Sequence, residues 1–136
     1  MTDIQATLSA AASGMRAQTT RMRIAAENVA NANSAGADPN QDPFRRRIPL
    51  LESTTLSTGA QGVRVRGTSY DMSNFREEYN PSHPAADERG YVQLPNVDTL
   101  VEMMDLREAT RAYEANLNMV EAARTMMTRA LDLLRR

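Results

Sequence analysis

The apolar residues in the last forty positions of the chain recur with a helical period. From Val97 to Leu134 there is no Pro and no Gly, and large side chains follow one another at steps of three, four or seven. This heptad pattern predicts one helix of roughly 55 Å. Asn96, Asp98 or Thr99 can cap its start, and Thr99 with Glu102 has the spacing of a capping box. The residues that set the pattern are Met103, Leu106, Tyr113, Leu117, Val120, Met127, Leu131 and Leu134.

The polar residues of this predicted helix form a single narrow strip. They advance by alternating steps of three and four, while most of the remaining positions are apolar or small. A surface helix normally has one apolar stripe and a broad polar face. The reversed proportions here predict a helix with neighbours on several sides and water along one line. The strip consists of Arg111, Glu114, Asn118, Glu121, Thr125, Thr128, Asp132 and Arg135.

The first thirty residues carry a similar pattern. From Ile4 to Val29, apolar and small residues keep a four-three register that only Gln18 interrupts, which predicts a helix ending near Asn33. Gly14 within this helix costs about 1 kcal/mol relative to Ala, so it marks either the close approach of another backbone or a tolerated glycine. The large residues of the register are Leu8, Met15, Met22 and Val29.

The middle of the chain lacks helical periodicity. A turn-rich linker at 35–43 precedes two extended segments, Phe44–Leu51 and Gly62–Tyr70, and Pro49 makes the first of them an edge strand or an interrupted strand. The Pro- and Gly-rich stretch 71–95 predicts irregular chain with turns. The predicted fold class is therefore mainly α with a small β-rich middle.

Composition narrows the classes of function. The net charge of −1 favours neither nucleic acid nor an anionic membrane, and the basic run 45–47 has no aromatic platforms, which favours a solvated strand. No apolar run approaches the roughly 20 residues of a membrane span, and the first residues do not resemble a cleavable signal. With no Cys in the chain, disulfides and thiolate chemistry are excluded.

The sequence offers little catalytic or metal-binding chemistry. His83 is the only histidine, and it lies in a predicted loop without an identifiable nucleophile or carboxylate partner. A structural hydrogen bond is the more ordinary interpretation of this residue. Asp71, Asp87 and Glu88 do not match the spacing of a calcium-binding loop. We therefore predict no enzyme, no cofactor and no metal site.

Two stretches near the ends, residues 11–33 and 103–116, resemble the terminal signatures of bacterial flagellar axial proteins, the rod, hook and filament-junction subunits. Between them, residues 79–84, 90–92 and 94–97 are similar to the hallmark of the proximal rod proteins, whose short length also agrees. The positions that carry the resemblance are Ser13, Gly14, Met15, Gln18, Asn28, Asn31, Asn33, Pro81, His83, Pro84, Gly90, Tyr91, Pro95, Asn96, Arg111, Tyr113 and Asn116.

This resemblance implies a structural subunit of the proximal rod of the flagellar basal body, located in the periplasm. Residues 1–34 and 97–136 are then expected to pair as an axial coiled coil, and 35–96 to form a small outer module. Subunits would polymerise helically with copies of themselves and with other rod subunits around an export channel, and so transmit torque. The flagellar type III export apparatus would be a partner, and no signal peptide would be removed.

The pattern of the two helices adds expectations about individual residues. The apolar register residues, from Leu8 to Val29 and from Met103 to Leu134, are expected to form the assembly interface. The polar strip is expected to line the channel, through Glu114, Asn118, Glu121, Thr125, Thr128 and Asp132. A different class of protein has the same kind of helices: a soluble helical adaptor or chaperone that binds partner helices without polymerising. Concentration-dependent assembly would separate the two.

Overall fold

The N-terminal part of the chain forms the first of two long helices. The structure is a computed structural model that describes residues 2–136, with only the backbone of residue 2. Helix α1 spans Thr2–Ala30 and is followed by turns at residues 31–33, so it ends slightly before the predicted Asn33. The Glu27 carbonyl accepts both the backbone amide hydrogen of Asn31, at 3.0 Å, and a hydrogen bond from the Asn31 side chain, at 2.8 Å.

Helix α2 spans Thr99–Leu134, about 54 Å at 1.5 Å per residue. Its N-cap is Asp98, whose carboxylate accepts the Leu100 amide hydrogen at 3.0 Å. Of the candidate caps Asn96, Asp98 and Thr99, Asp98 is therefore the one used. No capping box forms between Thr99 and Glu102, because the Glu102 side chain is buried and bonds elsewhere. No helix among residues 2–136 is long and apolar enough to cross a membrane.

The two helices pack side by side and run in opposite directions. Asn28 contacts Glu102, and fourteen residues away along both helices Gly14 faces Asn116. Between these points the Thr110 hydroxyl lies 3.5 Å from the sulfur of Met22. The two terminal helices therefore contact each other within one chain, and the coarse fold class, mainly α with a small β-rich middle, is confirmed; that they form an axial coiled coil stays a prediction.

A β-hairpin lies along the side of α1. Strands β1 (Arg47–Thr55) and β2 (Gln61–Tyr70) are antiparallel, with a bulge between Leu50 and Leu51. The Val63 amide donates to the Ser13 hydroxyl at 3.1 Å, and the hairpin tip meets α1 where the hydroxyls of Thr58 and Ser9 are 2.7 Å apart. Helix α1 thus contacts the hairpin as well as α2.

The stretch 71–95, predicted to be irregular, contains a second two-stranded sheet. Strands β3 (Arg76–Tyr79) and β4 (Tyr91–Leu94) pair antiparallel, and Tyr79 and Tyr91 meet edge to face with ring centroids 5.4 Å apart. Cross-strand aromatic pairs stabilise short strands of this kind. The spacing of Pro and Gly in the sequence does not reveal such a pair. The Arg76 guanidinium donates to the carbonyls of Pro95 and Ala32 and ties this sheet to the end of α1.

The core of the molecule is thin and consists mainly of small side chains. Its buried apolar residues are Ala11, Ala17, Ile24, Ala25, Ala32, Ala85, Val92, Val97, Ala109 and Ala123. Seven of these ten residues are Ala, which lets the helices approach closely but buries little area per residue. Many large apolar residues of α2 are left on the surface of the single chain.

Candidate assembly interface

The seam between α1 and α2 is built from small residues spaced seven apart. Glu102, Ala109 and Ala123 are buried on α2, and Asn116 is half-buried at the same register position. Next to them lie Leu106, Tyr113, Val120 and Met127, which are half-buried. These four residues belong to the heptad pattern recognised in the sequence, so the seam is centred one residue away from the predicted line.

Gly14 explains how closely the helices approach. A Cβ atom at this position would lie 2.7 Å from the side-chain nitrogen of Asn116, well inside van der Waals contact. Asn116 cannot move away freely, because that nitrogen donates to the Ala112 carbonyl at 3.0 Å. The close neighbour of Gly14 is therefore a side chain of α2, and not a second backbone as the sequence suggested.

The remaining large residues of the predicted register project away from the seam. We call Met103, Leu117 and Leu131 the first apolar flank; each follows a seam position by one residue and is exposed, Leu117 by 38% and Leu131 by 48%. Leu134, near the end of α2, is exposed as well. Each of these side chains therefore keeps a substantial part of its surface exposed in the single chain.

A second apolar surface lies on the other side of the seam. It consists of Met119, Met126 and Leu133, each three residues after a seam position and each exposed, and we call it the second apolar flank. At about 100° per residue, steps of one and three residues point to opposite sides of the seam. Helix α2 therefore has two separate and chemically similar faces available for neighbours.

The polar strip of α2 faces away from α1. Its residues follow seam positions by two or five, and all of the predicted channel-lining residues on it are exposed: Glu114, Asn118, Glu121, Thr125, Thr128 and Asp132. The hydroxyls of Thr125 and Thr128 donate to carbonyls of their own helix at 3.0 Å. The strip is flanked on both sides by the apolar flanks, and its place in a channel stays a prediction.

The predicted interface residues of α1 are Leu8, Met15, Met22 and Val29, and each is half-buried. Met15 lines an open cleft between the helices together with Tyr113, Ala12 and Thr19. Met22 contacts α2 at Thr110. These residues thus serve contacts within the chain and leave part of their surface for others; whether neighbouring subunits use it stays a prediction.

A buried polar cluster joins the helices to the middle of the chain. We call the cluster of Asn28, Arg46, Asp71, Asn96 and Glu102 the joint. The Arg46 guanidinium bonds to Glu102 and lies 3.4 Å from Asp71, while the Asn28 amide donates to Glu102 at 3.3 Å. Glu102 is only 2% exposed. A carboxylate at this depth needs partners for both of its oxygens, and the joint supplies them.

Two asparagines of the joint bind backbone as a neighbouring strand would. The Asn28 side chain accepts the Arg47 amide hydrogen at 3.0 Å and donates to the Arg47 carbonyl at 2.9 Å. Asn96 accepts the Arg46 amide hydrogen at 2.9 Å and donates to the Asp71 carbonyl at 2.8 Å. These bonds satisfy backbone groups at the start of the hairpin that no strand covers.

The charges of the joint support one another. Burial by itself would lower the pKa of Arg46, but hydrogen bonds and charge attraction from Glu102 and Asp71 raise this pKa above its ordinary value. The amide and hydroxyl of Ser73, and then Arg46, hold the pKa of Asp71 below its ordinary value of 3.8 against a smaller effect of burial. Both shifts favour the charged forms, so the ion pairs persist at neutral pH.

The central signature residues organise the loop between β3 and β4. Gly90 has a φ of +86°, and a Cβ there would meet the Tyr79 ring at 2.8 Å and Pro81 at 3.2 Å. His83 accepts the Ala85 amide hydrogen on Nδ1 at 3.0 Å, which is the structural hydrogen bond expected of it. The amides of Arg89 and Tyr91 donate to Asp87 and lower its pKa.

The other signature residues have separate places. Ser13 bonds the hairpin, Gln18 accepts from Arg21 on its own helix, and Pro95 is buried beside the joint. Arg111, Asn33 and Pro84 are exposed. In residues 2–136 no cluster of His, Asp or Glu is arranged to hold a metal ion.

Sequence reasoning missed the joint. The sequence pattern places Arg46 in a solvated basic run, groups Asp71 with Asp87 and Glu88, and gives Glu102 the spacing of a capping residue. One signal was available: Glu102 shares its heptad position with Ala109, Asn116 and Ala123, where a charged side chain does not fit unless it is paired. Its partners come from distant segments, however, and could not be named from the pattern.

Comparison with known proteins identifies the family. Residues 88–133 match the family model described as the C-terminal part of flagellar basal body rod FlgEFG proteins. Flagellar basal-body rod protein FlgC of Agrobacterium fabrum is 41% identical over 99% of this chain and 98% of its own length. The proteins of that name from Aquifex aeolicus and Bacillus subtilis are 38% and 35% identical over 97% and 93% of this chain, and over 98% and 95% of their own lengths. With full-length similarity at this level, the chain belongs to the FlgC family of flagellar basal-body rod proteins.

Proposed function

We propose that this structural rod subunit polymerises helically, with copies of itself and with other rod subunits, around an export channel in the periplasm and so transmits torque. The observation that supports this most is the pair of apolar flanks on α2. Two different exposed faces on one element favour heterologous contacts, in which the first flank of one subunit meets the second flank of the next, and such contacts generate helical assemblies. Membership of a structural family also means that the chain is not an enzyme.

The terminal helices form the axial part of the assembly in this proposal. Residues 1–34 and 97–136 act as a coiled coil whose seam is already closed by α1, so neighbours pack against the flanks of α2. The residues between, 35–96, form the outer module, with the hairpin lying against α1. The seven-residue spacing of Glu102, Ala109, Asn116 and Ala123 supports the coiled-coil geometry.

The polar strip then faces the lumen of the channel. With α1 on one side of α2 and neighbours on both flanks, the strip is the only face of α2 left for water. Its mixture of acidic, basic and neutral residues keeps the wall hydrated without one strong charge. An unfolded chain that passes through would find few apolar sites to bind. Export by the flagellar type III apparatus, without removal of a signal peptide, completes the proposal.

Cryo-electron microscopy of basal bodies tests the proposal directly. A strain that makes only a tagged copy of the chain should yield basal bodies with this subunit in the rod and with α2 lining the lumen. Purified chain mixed with other rod subunits should assemble in a concentration-dependent way. Discrete soluble complexes of fixed stoichiometry, with no copy in the rod, would instead support an adaptor, which the names of the relatives do not favour.

A further inference from the structure

Glu102 is the one charged residue in a seam otherwise made of small or amide side chains. It lies at the end of the seam where both helices join the middle of the chain, and it is only 2% exposed. A seam that only had to close would hold another Ala at this position, as it does at Ala109 and Ala123. A buried charge carries a desolvation cost that an Ala at this position would avoid, which favours a role for Glu102 other than packing.

The two oxygens of Glu102 are held by two different parts of the molecule. Asn28 of α1 donates to Oε2, whereas Arg46, which immediately precedes β1, bonds to Oε1. Arg46 also reaches Asp105 on the next turn of α2, at 3.6 Å. The Asn96 side chain accepts the Arg46 amide hydrogen and so holds the Arg46 backbone in place. Asn96 lies two residues before Asp98, the N-cap of α2. The carboxylate therefore has its full set of partners only when the start of the hairpin is docked against both helices.

We propose that Asn28, Arg46 and Glu102 form an interlock, by which α1 pairs with the first turns of α2 only when the segment entering β1 has docked. Without Arg46, pairing of the two helices would bury the Glu102 carboxylate without a charged partner. The end of α1 and the start of α2 would therefore stay apart. The consequence of the interlock rests on the proposed function: a subunit that arrives unfolded acquires its ordered assembly face only after its middle module has folded. Half-folded subunits are thus kept out of the growing assembly.

Hydrogen exchange on the full chain, at a concentration where it is monomeric, tests the interlock. With Arg46→Met, we expect amides in 21–30 and 99–113 to exchange on the order of a hundredfold faster, because a buried charge has lost its partner. The matched control is Arg64→Met, which breaks an exposed ion pair with Glu52 in the same hairpin and should change these rates less than about threefold. Equal behaviour of the two variants would overturn the proposal.

A double variant separates an interlock from a general loss of stability. Arg46→Met combined with Glu102→Met removes both charges, so the helix ends should regain exchange rates within about threefold of the wild type. Failure to recover would show that the stranded carboxylate is not the cause, and would overturn the proposal.

Asn96→Ala provides the final discrimination, because Asn96 holds the Arg46 backbone without touching Glu102. It should speed exchange in 99–113 in the wild-type background and have little effect in the double variant. An equal effect in both backgrounds would mean that coupling bypasses the ion pair, which overturns the interlock. These measurements use the monomer. If they give the expected pattern while the chain never enters a rod, the interlock stands and the proposed function fails.

Discussion

At the scale of residues, the stability of the fold depends on a few short residues. Asn28 and Asn96 take the place of a neighbouring strand, and Gly14 provides the room in which Asn116 sits. Each is short and has a fixed geometry, so a substitution of similar size does not reproduce its contacts. Single changes at these positions should therefore act on stability before they act on assembly.

Gly14→Val should destabilise the monomer by about 2 kcal/mol, because its side chain would overlap Asn116 in a closed seam. Thermal unfolding at low concentration measures this. Ala26→Val is the matched control: it places the same residue on an exposed position of α1 and should cost about 0.5 kcal/mol through helix propensity alone. Similar losses in the two variants would contradict the close approach of the helices at Gly14.

The Asp71 carboxylate should make the stability of the monomer dependent on acid. Its pKa is depressed in the folded state, so its contribution is complete above its ordinary pKa of 3.8 and is lost as pH falls through the folded value. Asp71→Asn should therefore lower the midpoint of thermal unfolding at about pH 6, with the difference from the wild type shrinking towards about pH 2.5. Asp132→Asn, in the exposed strip, is the control and should have little effect at either pH. A difference for Asp71→Asn that stays constant with pH would show that the charge is not involved.

The sequence made the signature residues recognisable but not their partners. Asn28, Asn96 and Gly14 were noticed because they resemble a family pattern. What they bind, however, lies 19 to 102 residues away along the chain. Contacts of this kind depend on the tertiary arrangement, and no local spacing encodes them. His83 is the exception, since its bond to Ala85 is local and was anticipated in kind.

At the scale of elements, periodicity predicted the two helices and the extended segments that form β1 and β2, because each extends over enough residues to show its repeat. It did not predict that the two strands pair as a hairpin. The seam of α2 was centred one residue off, since large residues were taken as the contact line whereas small ones allow the closest packing. The pair β3–β4 was missed because four-residue strands are too short to show alternation. The predicted register residues displaced from the seam form the first apolar flank, which we propose as part of the assembly interface.

Leu117→Asp should block assembly while the monomer folds normally. Leu117 is 38% exposed in the single chain, so the new carboxylate stays hydrated there, but burial against a neighbour would cost several kcal/mol per subunit. Leu131→Asp should behave in the same way, and His83→Ala should leave assembly largely intact. Motility of complemented cells and sedimentation of the purified chain measure the effect.

Asn118→Asp is the matched control for Leu117→Asp. It adds the same charge one residue further along α2, on the polar strip, and should assemble. Full motility with Leu117→Asp would show that the first apolar flank does not meet a neighbour. Loss of assembly in both variants would show instead that added negative charge on α2 is harmful on any face.

At the scale of the whole molecule, α2 has four faces. One packs against α1, two are the exposed apolar flanks, which we propose to contact neighbouring subunits, and the fourth is the exposed polar strip. We expect the strip to govern what passes through the channel more than whether the rod forms. This expectation follows from the arrangement of faces, since no intramolecular contact uses the strip apart from bonds within its own helix.

Asn118→Leu combined with Thr125→Leu should slow export without preventing assembly. Both residues are exposed, and the Thr125 hydroxyl bonds only to its own helix, so no buried contact is lost. The wall of the channel would become apolar at two points, and passing chains would adhere there. Electron microscopy of basal bodies should show rods with short or missing hooks, and secreted hook protein should fall. The control is Asn118→Gln with Thr125→Ser. If the Leu variant builds no rod, the strip is an intersubunit contact.

The chain leaves the helices and returns to them at one place. The Arg46 amide, near the start of the middle segment, donates to the Asn96 side chain near its end. The residues between them therefore form a closed segment outside the pair of helices. An insertion in an exposed loop between Arg46 and Asn96 would alter the outline of the subunit while the contacts between its two helices stayed the same. If this segment faces outwards in the rod, as proposed, natural selection could change the outer surface of the rod without changing the packing of its helices.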